Sequence, residues 1–151
     1  MLPTVREAKP DDCQRIAEIA RTAFAKYIAR IGREPAPMIA DFAAEIAAGH
    51  VVVITAAATI TGYMIAWPET DAYFIDAIAV DEAEQGKGLG RRLIDHAVAE
   101  ARRLRLPALR LCTNEAMTEN LAIYAHMGFV ETHRGVEKGY RRAFLRWELG
   151  A

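Results

Sequence analysis

The stretch Ile75-Asp76-Ala77-Ile78-Ala79-Val80-Asp81-Glu82-Ala83-Glu84-Gln85-Gly86-Lys87-Gly88-Leu89-Gly90-Arg91-Arg92 leaves few folds open. An apolar run short enough for a strand ends at Val80. Acidic and small residues come next, and glycines at alternate positions 86, 88 and 90 open a helical stretch. From there Leu89, Leu93, Ala97, Ala101 and Leu104 recur at helical spacing between charged residues, so one face packs on a sheet and the other meets water. The glycines fall where a helix's first turn leaves backbone N–H groups without partners, and lacking Cβ atoms they let an anion come close. A phosphate-bearing ligand suits such a turn.

Two better-known phosphate loops do not fit. A dinucleotide fingerprint read from Gly86 and Gly88 needs its third glycine at position 91, where the chain has Arg91, and no Gly-Lys-Ser/Thr signature occurs. What remains is Gln85-x-x-Gly88-x-Gly90. On spacing alone it reads either as an anion cradle or as a glycine-rich turn leading into a surface helix.

The 151 residues, 52% of them hydrophobic, are enough for a real core and too few for a second domain of ordinary size, so residues 1–151 are expected to form a single domain. The formal net charge is −1 and no run of five like charges occurs, which gives no support to binding nucleic acid or an anionic membrane. Cys13 and Cys112 read as small buried hydrophobes rather than a disulfide framework or a metal cluster, and no metal is expected. The N-terminus lacks a signal-peptide core, and no apolar stretch reaches the ~20 residues of a membrane span. A cytoplasmic protein is the expectation.

In chain order, Thr4 to Ala8 reads as a strand. A helix starts after Pro10-Asp11-Asp12 and runs to about Arg30, carrying Ile16, Ile19, Ala23, Phe24 and Tyr27 on one stripe. The prolines of Arg33-Glu34-Pro35-Ala36-Pro37 force a loop, after which a second helix is expected over Met38 to Ala48, closed by Gly49. Val51 to Ile54 and Thr59 to Trp67 form a hairpin around Ala56-Ala57-Ala58, and Ala72 to Val80 is the strand that enters the glycine loop. Pro107 to Thr113 makes a strand after the central helix, implying parallel pairing through a right-handed crossover. A short helix holding Met117, Leu121 and Tyr124 stops at Gly128, and a closing hairpin alternates Phe144, Arg146 and Glu148 against Leu145, Trp147 and Leu149.

Two motifs and this order of elements resemble the GNAT superfamily of N-acetyltransferases. The first is the Gln85–Gly90 loop. The second is Ile123-Tyr124-Ala125-His126-Met127-Gly128-Phe129, which looks like the family's Leu-Tyr-x-x-x-Gly-Phe signature. The stretches Arg30–Met38 and Met117–Asn120 further resemble a group of small bacterial members without an assigned substrate. The resemblance implies an α/β fold of α+β type: a twisted, mostly antiparallel sheet of about seven strands with about four helices. Its central parallel pair would be splayed to admit acyl-CoA.

It also implies an acetyl-CoA site. Ile78, Ala79 and Val80 would lend backbone groups to the pantetheine arm. Gln85, Gly86, Lys87, Gly88, Leu89 and Gly90 would hold the pyrophosphate with Arg91 as an added cation, and Asn120 and Tyr124 would line the other side. Family members often carry an asparagine near the position of Met117, which leaves the choice between Asn114 and Asn120 open.

Acetyl transfer to an amine needs positioning, removal of an ammonium proton, carbonyl polarisation and protonation of the leaving thiolate. Tyr124 is the candidate acid, because a phenol of pKa ~10 matches a thiolate. Asp76 is the candidate base, placed by strand alternation with Ile78 and Val80; Glu69, Glu119 and His126 are weaker candidates. Neither cysteine lies in a nucleophile motif. Tyr27, Arg30 and Arg33 lie where the family shapes its acceptor pocket, and either arginine can hold a substrate carboxylate or simply be solvated.

The expected activity is acetyl transfer from acetyl-CoA to a primary amine of a small molecule or peptide. A non-catalytic acyl-CoA-binding sensor or interaction module is the alternative. A homodimer is expected from the resemblance, with exposed sheet edges as the physical motive.

Overall fold

The computed structural model describes residues 2–150. Its elements are β1 (Thr4–Glu7), α1 (Cys13–Phe24), α2 (Ile28–Ile31), α3 (Phe42–Ala47), β2 (Val51–Ala56), β3 (Thr59–Pro68), β4 (Tyr73–Val80), α4 (Leu89–Arg103), β5 (Ala108–Asn114), α5 (Thr118–Met127), β6 (Val130–Glu137) and β7 (Tyr140–Glu148). The strands form one seven-stranded sheet in the order β1-β2-β3-β4-β5-β7-β6. All neighbours are antiparallel except β4 and β5, which the α4 crossover makes parallel. The mixed sheet, the helices and the single parallel pair match the fold that the sequence resemblance implies.

Strand alternation gives the sheet two apolar faces. On one, Tyr63, Ile65, Ala77 and Ala79 meet Ile16 and Ile19 of α1 and Phe42 and Ile46 of α3. On the other, Met64, Ile75, Leu109 and Leu111 meet Leu93, Ile94 and Ala97 of α4 and Tyr124 of α5. Leu93 and Ile94 are fully buried, and such residues contribute about 1.5–3 kcal/mol each in area terms. The stripe seen from Leu89 is this buried face; only Leu104, just past the helix end, stays largely exposed at 38%.

Two helical expectations need correction. The first helix does not run unbroken to Arg30: residues Ala25–Tyr27 tighten into a 3-10 turn before α2, which Gly32 ends in the left-handed region at φ +86°. The helix expected over 38–48 is shorter. Ala36–Ile39 make a separate 3-10 turn, Ala40 is extended, and α3 begins only at Phe42, where the Asp41 side chain accepts from the Ala44 N–H at 3.0 Å. A side-chain cap therefore wins over apolar periodicity, and it leaves residues 32–41 as an arm whose 36–39 turn packs on α1.

Two irregularities of β4 break the regularity of the sheet at its centre. Its pairing with β5 covers only Tyr73, Phe74 and Ile75, although β5 continues to Asn114, so the strands part beyond Ile75. Against β3 the register passes from Ile65↔Ala77 to Ala66↔Ile75, leaving Asp76 as the extra residue of a bulge.

Candidate active site

The glycine loop is held from behind. Arg15 of α1 ion-pairs with Asp81, holding its carboxyl below the usual range, and the same carboxylate accepts from the Ala83 N–H at 3.2 Å. Gln85 turns back to donate from Nε2 to the Val80 carbonyl at 3.2 Å, tying the loop to the strand end. Gly86 and Gly88 lie in the left-handed region at φ +84° and +79°, a conformation costing ~1–2 kcal/mol for residues with a Cβ. Gly90 is different. It is helical, and an added Cβ would come no closer than 4.0 Å to the Val80 side chain, so nothing in the protein requires glycine there.

Among the described residues none accepts a hydrogen bond from the N–H groups of residues 86–91; bonding resumes with Arg92 N–H to the Gly88 carbonyl at 3.2 Å. Six consecutive N–H groups are thus left without protein acceptors at and just before the positive end of a 15-residue helix. All of these residues but Lys87 border a cleft of about 410 Å³ that also touches Ile78, Val80, Asn120 and Tyr124. Donor count, helix end and open space fit a pyrophosphate. Arg91 lines the cleft while reaching Asp95 at 3.4 Å, whereas Lys87 turns away to Glu84 at 2.6 Å.

The splayed strand offers a second set of donors. Asp81 N–H donates to the Thr61 carbonyl at 2.8 Å, which sets the phase of the β3–β4 ladder. Alternation then directs the Ala79 backbone into β3 and turns the backbone groups of Ile78 and Val80 to the gap, where the Val80 carbonyl is taken by Gln85 and the two N–H groups remain.

Tyr124 lies in the wall between this cleft and a larger one of about 710 Å³, and Phe24, Ile78 and Asn120 line both as well. The Tyr124 ring packs edge-on against Phe129, with centroids 5.7 Å apart. Burial pushes its phenol pKa upward. Asn120 donates to the Met117 sulfur at 3.6 Å and borders both clefts, whereas Asn114 caps the turn at Ala116 N–H and reaches only the larger one.

The larger cleft has Asp76 in its wall. Simple alternation puts Asp76 on the face of Ile78 and Val80, but the bulge breaks that phase. Ile78 and Val80 pack toward α4, while Asp76 faces the opposite side among Glu45, Glu137, Lys138 and Arg142. Burial raises its pKa, opposed chiefly by the positive charge of Arg142. No described residue donates a hydrogen bond to its carboxylate. Cys112, across the gap, is pushed by burial up to about 11, so it stays a protonated thiol.

The acceptor residues expected from sequence are dispersed. Tyr27 is buried beside the smaller cleft. Arg30 borders neither cleft: it bonds Glu119 at 2.6 Å, drawing that carboxyl down to about 2, and lies 5.2 Å from the Tyr27 ring. Arg33 does border the larger cleft, stacked 3.7 Å over Tyr140 and donating to the Lys138 carbonyl at 3.3 Å. Sequence reasoning missed Arg110 and Arg142 in this cleft. The alternation of the last strand held the only signal for Arg142, which lies in phase with Phe144 and Arg146. Among the described residues no group of three His, Cys, Asp or Glu side chains is placed to hold a metal ion, and no helix is long and apolar enough to cross a membrane.

Comparison with known proteins agrees with this architecture. The model of the acetyltransferase (GNAT) family matches residues 13–129, and the chain belongs to that family. Its fold is shared by a GCN5-related N-acetyltransferase from Rhodopseudomonas palustris at TM-score 0.81 and 19% identity, covering 99% of this chain and 97% of the other. The PaiA N-acetyltransferase from Thermoplasma acidophilum, solved in complex with coenzyme A, matches at TM-score 0.79 and 12% identity over 98% and 99% of the two chains. YncA from Salmonella typhimurium, solved with its cofactor acetyl-CoA, matches at 0.70 and 24% identity over 100% and 96%. At these identities the neighbours share the fold.

Proposed function

We propose that this chain transfers the acetyl group of acetyl-CoA to a primary amine by direct attack. The observation that carries the reading is the placement of Tyr124 and Asp76. The phenol lies where the two clefts meet and the carboxylate lies in the acceptor-side wall, both beside the gap between β4 and β5. Residues 86–91 would hold the pyrophosphate through their N–H groups, and Ile78 and Val80 would pair with the pantetheine arm. Asn120 stands opposite, and Asn114 is left to its turn.

Bound there, acetyl-CoA supplies an activated acetyl group. Asp76 takes the ammonium proton, directly or through water, freeing the nitrogen lone pair. The Val80 N–H, facing the gap, polarises the thioester carbonyl. As the C–N bond forms and the C–S bond breaks, Tyr124 gives its proton to the departing sulfur, and the second proton lost by the nitrogen restores the phenol, directly or through water. Desolvation keeps this phenol protonated, and a thiolate released into the same dry wall is made more basic by the same cause, so donor and acceptor remain matched.

The test is thiol release from acetyl-CoA across amines of different classes, with Tyr124→Phe beside the native protein. Release should fall by about 10²- to 10⁴-fold in the variant while acetyl-CoA affinity persists. Binding without release to any amine points instead to a sensor, and absence of binding removes the reading.

A further inference from the structure

The larger cleft holds more positive charge than an amine alone calls for, and its arginines are not equivalent. Arg110, Cys112 and Asn114 of β5 pair with Arg146, Phe144 and Arg142 of β7, and these residues share the sheet face opposite the core side chains Leu109, Leu111, Ala143 and Leu145. This half of the face forms an arginine-bearing floor beside Asp76. Arg146 borders neither cleft and is taken up by Asp71 and Glu148. Arg110 bonds Glu69 at 2.5 Å and lies 5.0 Å from the Phe74 ring centroid. Arg33 is spent on the contact with Tyr140 and Lys138.

Arg142 is left. Its side chain is only 16% exposed, and its single carboxylate partner is the half-exposed Glu137 at 3.2 Å, reached through Nη1. The same Nη1 lies 3.7 Å from the Cys112 sulfur. Among the described residues nothing accepts from Nε or Nη2, although these donors sit in a largely sheltered guanidinium lining the cleft. It is also the positive group acting most strongly on Asp76. A base for an amine and an open guanidinium fork thus lie side by side.

The cleft is roofed as well. Arg33 stacks on Tyr140, and Tyr140 donates to the Glu34 carbonyl at 2.6 Å, so the 32–41 arm meets the β6–β7 hairpin above the site. The cleft, about 710 Å³ and walled partly by Trp67, Phe74 and Phe144, suits a small molecule with an apolar portion.

We infer that the acceptor is a free α-amino acid with an apolar side chain, its carboxylate held by Arg142 while its amine faces Asp76. This deepens the acetyltransferase reading and rests on it. The guanidinium gains charge-assisted bonds that its tether to Glu137 leaves unmade. The transfer step is unchanged: C–N forms, C–S breaks, one amine proton goes to Asp76, and the second replaces the proton that Tyr124 gives to the sulfur.

The experiment pairs each amino acid with its decarboxylated amine, phenylalanine with 2-phenylethylamine and leucine with 3-methylbutylamine, and tracks thiol release in the native protein, Arg142→Gln and Arg142→Lys. The native protein should prefer the amino acids. Arg142→Gln should raise their KM by about 10- to 100-fold, with partial rescue in Arg142→Lys, while the decarboxylated amines keep their KM and change only in the acid limb, which moves up in pH as Asp76 loses that positive charge. Glu137→Gln, which removes the competing negative charge, should lower KM for the amino acids and thereby separates a binding role from a folding one. Equal or better transfer to the decarboxylated amines by the native protein, or an equal rise in KM for both members of each pair in Arg142→Gln, overturns the carboxylate site and leaves the acetyltransferase reading standing. Absence of transfer to both members of every pair, with acetyl-CoA bound, overturns both.

Discussion

Tyr140 donates its phenolic O–H to the backbone carbonyl of Glu34 at 2.6 Å, joining segments 106 residues apart. The ring beneath that hydroxyl carries the Arg33 guanidinium. One side chain thus anchors the 32–41 arm twice, by a hydrogen bond and by stacking. Tyr140→Phe separates the two: it keeps the stack and removes the donor from the Glu34 carbonyl. The expected cost is about 0.5–1.5 kcal/mol, seen as a lower urea midpoint at unchanged m-value, with faster amide exchange confined to the arm. A variant as stable and as protected as the native protein would show that the stack alone holds the roof.

Gly90 allows ligand binding and folding to be separated. Its φ is helical and an added Cβ meets only open space and the Val80 side chain at 4.0 Å. Gly90→Ala should therefore stabilise the ligand-free protein by up to about 1 kcal/mol, the helix-propensity difference. The same methyl intrudes on the cradle of six N–H groups and should weaken acetyl-CoA binding by about tenfold or more, roughly the effect of one lost hydrogen bond. Calorimetric titration and thermal melts on one sample decide it. If affinity is retained, the ligand does not approach the backbone at this turn.

Asp76 carries a pH signature. Its folded-state pKa is raised by burial, so the folded protein holds this proton more tightly than the unfolded chain does. The stability linked to that proton is present below the unfolded pKa of ~3.9 and is lost as pH rises through the folded value. Asp76→Asn should accordingly raise Tm at neutral pH, with the gain vanishing as pH falls toward about 4. The native acid limb of kcat/KM should lie above the ordinary carboxylate range. In Asp76→Asn that limb should disappear and kcat fall by about 10²- to 10⁴-fold. A native-like pH profile in the variant would assign the base elsewhere.

Local chemistry explains which features were legible in the sequence. The glycine loop, the α4 stripe and the Gly128 stop of α5 depend on neighbours within a single turn or so of chain, and the hairpins and the one parallel crossover join elements adjacent in sequence; the insertion of β7 between β5 and β6 is set by tertiary pairing. The bulge at Asp76 was not legible, because it is set by the register against the neighbouring strand β3. Nor were the break at Ala25–Tyr27 and the late start of α3, where capping by Asp41 overrides apolar spacing. The acceptor cleft was read least well: Arg33, Asp76, Arg110, Tyr140 and Arg142 are brought together only by tertiary folding. Arg30, expected beside them, is drawn off by Glu119.

Tyr63 provides a test of the buried layer under the site. It is fully buried on β3, its ring edge-on to Phe42 at 5.9 Å and 80°, and among the described residues its hydroxyl has no hydrogen-bond partner. An unsatisfied buried hydroxyl costs about 1–3 kcal/mol, while deleting one oxygen leaves too small a void to offset that. Tyr63→Phe should therefore raise stability by about 1 kcal/mol. Because Tyr63 lines neither cleft, KM for both substrates should not change. Burial also raises the phenol's pKa, so it stays neutral beside Asp76 and its removal should not shift the acid limb of the rate profile. A loss of stability would mean that the hydroxyl has a partner in solution. A shifted acid limb would mean that Tyr63 acts on Asp76 through a hydrogen bond, making it part of the site rather than of the core beneath it.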